Sequence, residues 1–126
     1  MNIVDSSGWL EYFADGPNAA AFARPLAATE RLIVPTISLF EVFKRVLKQR
    51  GETVALESVA LMRQGRVVDL DTALALSAAK LSVETGLPLA DSVMLTTARR
   101  FRAILWTQDS DFQGIAGVRY FPKRGQ

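Results

Sequence analysis

The sequence predicts an α/β fold, a central mostly parallel five-stranded sheet flanked by helices, and three observations carry that prediction. Short apolar runs alternate with longer amphipathic stretches along the whole chain. The apolar runs are continuous rather than alternating, the pattern of strands covered on both faces. Gly16-Pro17, Pro35, Gly51, Gly86 and Pro88 fall between the runs and the amphipathic stretches, where turns and helix ends need them.

The elements follow in order. Residues 2–4 form a first strand, and Asp5-Ser6-Ser7 opens a helix through residue 13. Gly16-Pro17 is a break, after which Asn18 caps a helix to about Ala27. Residues 32–34 form a second strand stopped by Pro35. Thr36 or Ser38 then starts a helix to about Arg50, ended by Gly51. Residues 53–63 are helical, and Val67-Val68 centres a third strand. Asp71 caps a helix reaching Glu84 and closed by Gly86, and a further helix runs from about Ala90 to Arg102 behind Pro88. Residues 103–106 and 118–121 complete the strands. No repeat, low-complexity tract or linker interrupts them, so residues 1–126 read as one domain.

Composition excludes whole classes of chemistry. The chain has 126 residues, no cysteine and no histidine. That removes disulfides, thiolates, imidazole acid–base catalysis, hydrolytic triads and ordinary zinc sites. What is left is carboxylate, hydroxyl, Lys and Arg chemistry, and carboxylates act best by holding a hard cation. No stretch approaches the roughly 18–20 apolar residues of a membrane span. The N-terminus lacks a signal-peptide pattern, so a cytoplasmic protein without membrane association is expected. The net charge of +2 is mild, but cations cluster at Lys44, Arg45, Lys48 and Arg50, and again at Arg99, Arg100 and Arg102. Singly, each cluster reads as a solvated helix face or helix C-terminus.

In open α/β folds ligands sit at the carboxyl ends of the strands, so acids that follow strands matter most. Asp5 follows "NIV", Asp109 follows "AILWTQ", and Asp69 and Asp71 follow "VV". Asp71 is a helix cap and Asp69 an exposed strand end. Asp5 could be a cap worth about 1 kcal/mol, and Asp109 and Asp111 could build a turn. Asp91 opens a helix with Leu95 and Ala98 on its own side, which sets it beside a buried stripe. Glu41 lies in "ISLFEVFKRVLK", roughly opposite a stripe of Leu39, Phe40, Val42, Phe43, Val46 and Leu47. Periodicity makes it solvent-facing, in reach of Lys44 and Arg45; a crevice is solvent too. Trp9, Tyr12 and Phe13 read mostly as core or dimer interface.

Four segments, "IVDSS", "ISLFEV", "LPLADSVMLTTA" and "ILWTQDSDF", resemble in order and spacing the PIN domain, specifically the VapC-type toxins of type II toxin–antitoxin pairs. The resemblance covers essentially the whole chain. It implies a PIN-like fold with an acidic pocket at the carboxyl edge of the sheet, and a Mg2+- or Mn2+-dependent endoribonuclease. By motif, Asp5, Glu41, Asp91 and Asp109 match the catalytic, metal-binding acids. Asp111 can assist or substitute for Asp109, which is favoured because it is closer to the strand end. Thr107 and Ser6 match hydroxyl positions beside the acids. Asp5 and Asp91 are the first choices as direct ligands, with Glu41 and Asp109 acting through water or on a second ion. Lys44, Arg45, Lys48, Arg99 and Arg100 are candidates for contact with RNA or with an acidic segment of the cognate antitoxin. A homodimer is also implied.

Rival readings are weaker. A haloacid-dehalogenase-like phosphatase needs a second Asp two residues after Asp5, where Ser7 stands. A receiver domain needs paired acids after its first strand, and these are missing. A non-catalytic RNA- or partner-binding module of the same fold is the rival from another class.

Overall fold

A computed structural model describes residues 1–124. Its sheet has five strands: β1 (Asn2–Val4), β2 (Leu32–Pro35), β3 (Arg66–Val68), β4 (Ile104–Thr107) and β5 (Val118–Tyr120). They lie in the order β3-β2-β1-β4-β5, and all four pairings are parallel. Six helices cover it: α1 (Ser6–Phe13), α2 (Ala19–Ala27), α3 (Thr36–Arg50), α4 (Glu52–Met62), α5 (Thr72–Thr85) and α6 (Leu89–Arg100).

Successive strand side chains point to opposite faces, and each face has its own core. Ile3, Ile33 and Leu105 pack with Leu81, Met94, Leu95 and Phe112 on one side. Val4, Leu32 and Val34 pack with Trp9, Phe22, Val42, Val46 and Met62 on the other. The continuous apolar runs are thus explained for the central strands. The edge strands β3 and β5 are only partly buried.

Helix ends follow local chemistry. Asp71 accepts from the Leu74 N–H at 2.8 Å, and Gly86 closes α5 in the left-handed conformation at φ 76°. Asn18 differs from expectation. It stands at the N-cap position of α2 but caps nothing with its side chain, because Nδ2 donates instead to Gln108 Oε1 and the Pro122 carbonyl, each at 3.0 Å. Pro35 is not a stop before the helix but the last residue of β2, and α3 begins at Thr36 with no side-chain cap.

Topology decides where a site can form. From β1 the chain builds outward through β2 to β3, then crosses back to lay β4 on the other flank of β1. The strand order therefore reverses between β1 and β4, and the crevice at such a switch point is the natural ligand site. Val4 pairs with Trp106 in register, so Asp5 and Thr107 leave the sheet side by side.

Candidate metal centre

Asp5 is buried, 4% exposed, and caps α1 by accepting from the Ser6 N–H at 2.8 Å. Its other oxygen, Oδ2, accepts from Thr107 Oγ1 at 2.9 Å and Ser7 Oγ at 3.0 Å. Thr107 Oγ1 in turn accepts from the Asp109 N–H at 2.9 Å, so one hydroxyl fixes the first acid and the backbone carrying another. Asp109 caps the short helical turn after β4 by accepting from the Asp111 N–H at 2.9 Å. Asp91 enters from the first turn of α6, whose buried face carries Leu95 and Ala98.

One oxygen each of Asp5, Asp91 and Asp109 lie within 4.8 Å of one another. Burial pushes the Asp5 carboxyl up, against the hydrogen bonds from Thr107, Ser7 and Ser6 that pull it down. Asp91 is pushed up to about 7, first by desolvation, then by repulsion from Asp109, Asp5 and Asp111. An all-oxygen set of converging carboxylates, in which Asp5 and Asp91 resist ionisation, is the chemistry a hard divalent cation relieves. The residues fit such an ion. Asp109, not Asp111, joins the convergence; Asp111 is exposed and acts on Asp91 from the margin.

Glu41 shares the cavity. It is half-buried, and its Oε1 accepts from Ser6 Oγ at 2.6 Å, across from α1 to α3. Its helical phase points it to solvent, and that solvent is this crevice. The stripe on α3 needs correction: the helix buries Ser38, Val42 and Val46, while Phe40 and Leu47 are exposed. Phe40, about 200° around the helix from Ser38, cannot share its face.

The cavity, about 480 Å3, is lined by Asp5, Ser6, Glu41, Asp91 and Asp109, with Phe40, Lys44, Arg45 and Lys48 on the α3 side. Neither Lys44 nor Arg45 forms an ion pair with Glu41; among the described residues the one ion pair is Arg100–Asp71, at 3.5 Å. Arg99 and Arg100 do not line this cavity. They stand eight and nine residues beyond Asp91, about 12 Å further along the helix. Arg99 faces a separate hollow with Lys80 and Glu84. Sequence reasoning missed Ser7, Gln108 and Asn18. Ser7 Oγ touches Asp5, Thr107 and the Gln108 N–H, and its place in "DSS" was the available signal. The Gln108–Asn18 bond spans 90 residues and left no local trace. Trp9 is in the core, stacked on Phe13 with centroids 5.7 Å apart, and Tyr12 is exposed.

The PIN domain family model matches residues 3–118. Among solved structures, the chain is similar to one in a toxin–antitoxin complex from Klebsiella pneumoniae, with TM-score 0.82 and 22% identity over 97% of this chain and 99% of that one. It is similar to VapC20 of Mycobacterium tuberculosis, a sarcin–ricin loop cleaving toxin, with TM-score 0.73 and 18% identity over 92% and 95% of the two chains. A chain of the DNA-bound VapBC of Salmonella typhimurium matches with TM-score 0.74 and 18% identity over 98% and 100%. No curated protein matches the chain. At these identities the likeness to solved structures is one of fold.

Proposed function

The chain belongs to the PIN domain family, and from that premise we propose that it is a Mg2+- or Mn2+-dependent endoribonuclease, the toxin of a type II toxin–antitoxin pair. The observation that carries this reading is the convergence of Asp5, Asp91 and Asp109 at the switch point of the sheet. The fold shared with VapC20 and with two toxin–antitoxin assemblies supports RNA as substrate and a cognate antitoxin as partner.

Asp5, Asp91 and Asp109 would hold the ion, the first two as the principal ligands. Bound there, a divalent cation would neutralise charge growing on the phosphate oxygens and lower the pKa of a water. Glu41 orients the attacking water. Its Oε1 is engaged by Ser6, which leaves Oε2 to accept the water's proton. Thr107 and Ser7 keep Asp5 Oδ2 aimed. Lys44, Arg45 and Lys48 hold the RNA backbone by salt-sensitive phosphate contacts. Hydrolysis in this manner leaves 5′-phosphate and 3′-hydroxyl ends. No histidine is required, in keeping with a chain that has none.

Such a toxin acts in the cytoplasm as a homodimer and is neutralised by its antitoxin. No helix among the described residues is long and apolar enough to cross a membrane. The deciding experiment is cleavage of total cellular RNA by the purified chain in Mn2+, against the same reaction in EDTA. Metal-dependent new RNA ends support the reading. RNA binding without cleavage identifies a non-catalytic module instead.

A further inference from the structure

We propose that Phe40 is a base-stacking platform for the unpaired nucleotide beside the scissile phosphate. This deepens the ribonuclease reading and rests on it. Phe40 is 62% exposed, although it sits within a well-formed helix whose opposite side is core. A lone exposed phenyl ring is ordinary surface. This one lines the acidic cavity itself, next to Glu41 in sequence and beside Lys44, Arg45 and Lys48. Lys44 Nζ stands 5.7 Å from the ring centroid, and no aromatic side chain among the described residues pairs with the ring.

The chemistry of the neighbours selects the occupant. Lys44, Arg45 and Lys48 have no carboxylate partner among the described residues, so they are free to meet phosphates. Arg45 also lines an adjoining cavity of about 470 Å3 with Arg50, Lys123 and a single acid, Glu11, which extends a mainly cationic track away from Asp5, Asp91 and Asp109. A ligand that puts phosphates on this track and reaches the carboxylates carries a flat π surface past Phe40. Inside an A-form duplex each base face is covered by its neighbours, and only an unpaired base has one to offer. Stacking is tolerant of base identity, because every base has a π face.

The test uses the full chain in Mn2+. Mapping the ends cut in total RNA identifies a cleaved stretch, and a synthetic RNA of that sequence serves as substrate for wild type, Phe40→Ala, Phe40→Leu and Phe40→Trp. The expected result is a KM about tenfold higher for the Ala and Leu variants, the size of one stacking contact, with kcat within about twofold and wild-type KM for Trp. Replacing the nucleotide next to the cut by an abasic residue is expected to erase the difference between wild type and Phe40→Ala. Annealing the complementary strand is expected to abolish cleavage by all four. Equal KM for the four proteins, full activity of Phe40→Leu, or unimpaired cutting of the duplex overturns the proposal while leaving the nuclease reading intact. Phe40→Ala with unchanged RNA kinetics but weakened binding to a co-expressed antitoxin assigns the ring to that partner and also overturns it. A wild type that cuts no RNA in Mn2+ removes the nuclease reading and this proposal together.

Discussion

Thr107 Oγ1 lies 2.9 Å from Asp5 Oδ2 and accepts the Asp109 N–H at the same distance. A single buried hydroxyl at the end of β4 thus joins two acids that are 104 positions apart in the chain. The bond exists because β1 and β4 are parallel neighbours in register.

Thr107→Val keeps the shape and removes the bond. Asp5 loses a donor and the Asp109 N–H loses its acceptor, a cost of about 1–3 kcal/mol. Mn2+ affinity measured by calorimetry is expected to fall about 10–100-fold, the usual effect of losing a partner behind a ligand. Unchanged Mn2+ affinity would show that Thr107 serves only the core.

Asp5→Asn and Asp91→Asn are each expected to lower RNA cleavage by roughly a hundredfold or more in Mn2+, and EDTA to abolish it in the wild type. Cleavage that survives both substitutions and EDTA excludes the carboxylate-held metal.

Glu41→Gln and Ser6→Ala separate orientation of water from ion binding. Both are expected to lower kcat, Glu41→Gln by about 10²–10³-fold and Ser6→Ala by about tenfold, with Mn2+ affinity little changed. A parallel loss of Mn2+ affinity in Glu41→Gln would make Glu41 a ligand instead.

The ion-free protein is expected to become more stable as pH falls from about 8 to about 5.5. Asp91 titrates near 7 in the folded chain against 3.8 as the reference. Between those values the folded state holds a proton that the unfolded chain has released, so stability is lost as pH rises through the window. Asp5 shifts in the same direction. Solvent screening at a half-exposed site limits the effect to on the order of 1 kcal/mol, or ~4 °C in Tm for a domain of this size. Asp91→Asn should raise Tm at about pH 8 without metal, and Mn2+ should raise that of the wild type. A flat profile of Tm against pH without metal contradicts the crowding of the carboxylates.

Gly8→Ala is expected to cost about 1–3 kcal/mol by overpacking. A Cβ there would stand 2.7 Å from both Phe22 Cδ1 and Val4 Cγ1, and α1 carries Ser6 and Ser7. Urea denaturation measures the loss; a wild-type midpoint would mean that α1 can shift freely.

Much was legible along the chain because the relevant physics is local. Apolar runs and helix caps name the strands and helices, as Asp71 and Gly86 do for α5. The absence of histidine and cysteine leaves oxygen ligands as the available chemistry. The motifs around Asp5, Glu41, Asp91 and Asp109 mark the candidate acids. Tertiary structure alone decided what those acids meet. A helical wheel knows the angle of Glu41 about its own axis but not what stands opposite, and only the packing of α1 across from α3 makes its solvent a crevice with Ser6 in reach. Likewise Phe40 read as core but is exposed and lines the cavity, and Arg99 and Arg100, close to Asp91 in sequence, are carried away from it by the rise of α6. Asp109 was separated from Asp111 by the Thr107 bond and the turn after β4. Periodicity reports which side of an element is apolar; which elements face each other is set by strand order, and strand order is a property of the whole chain.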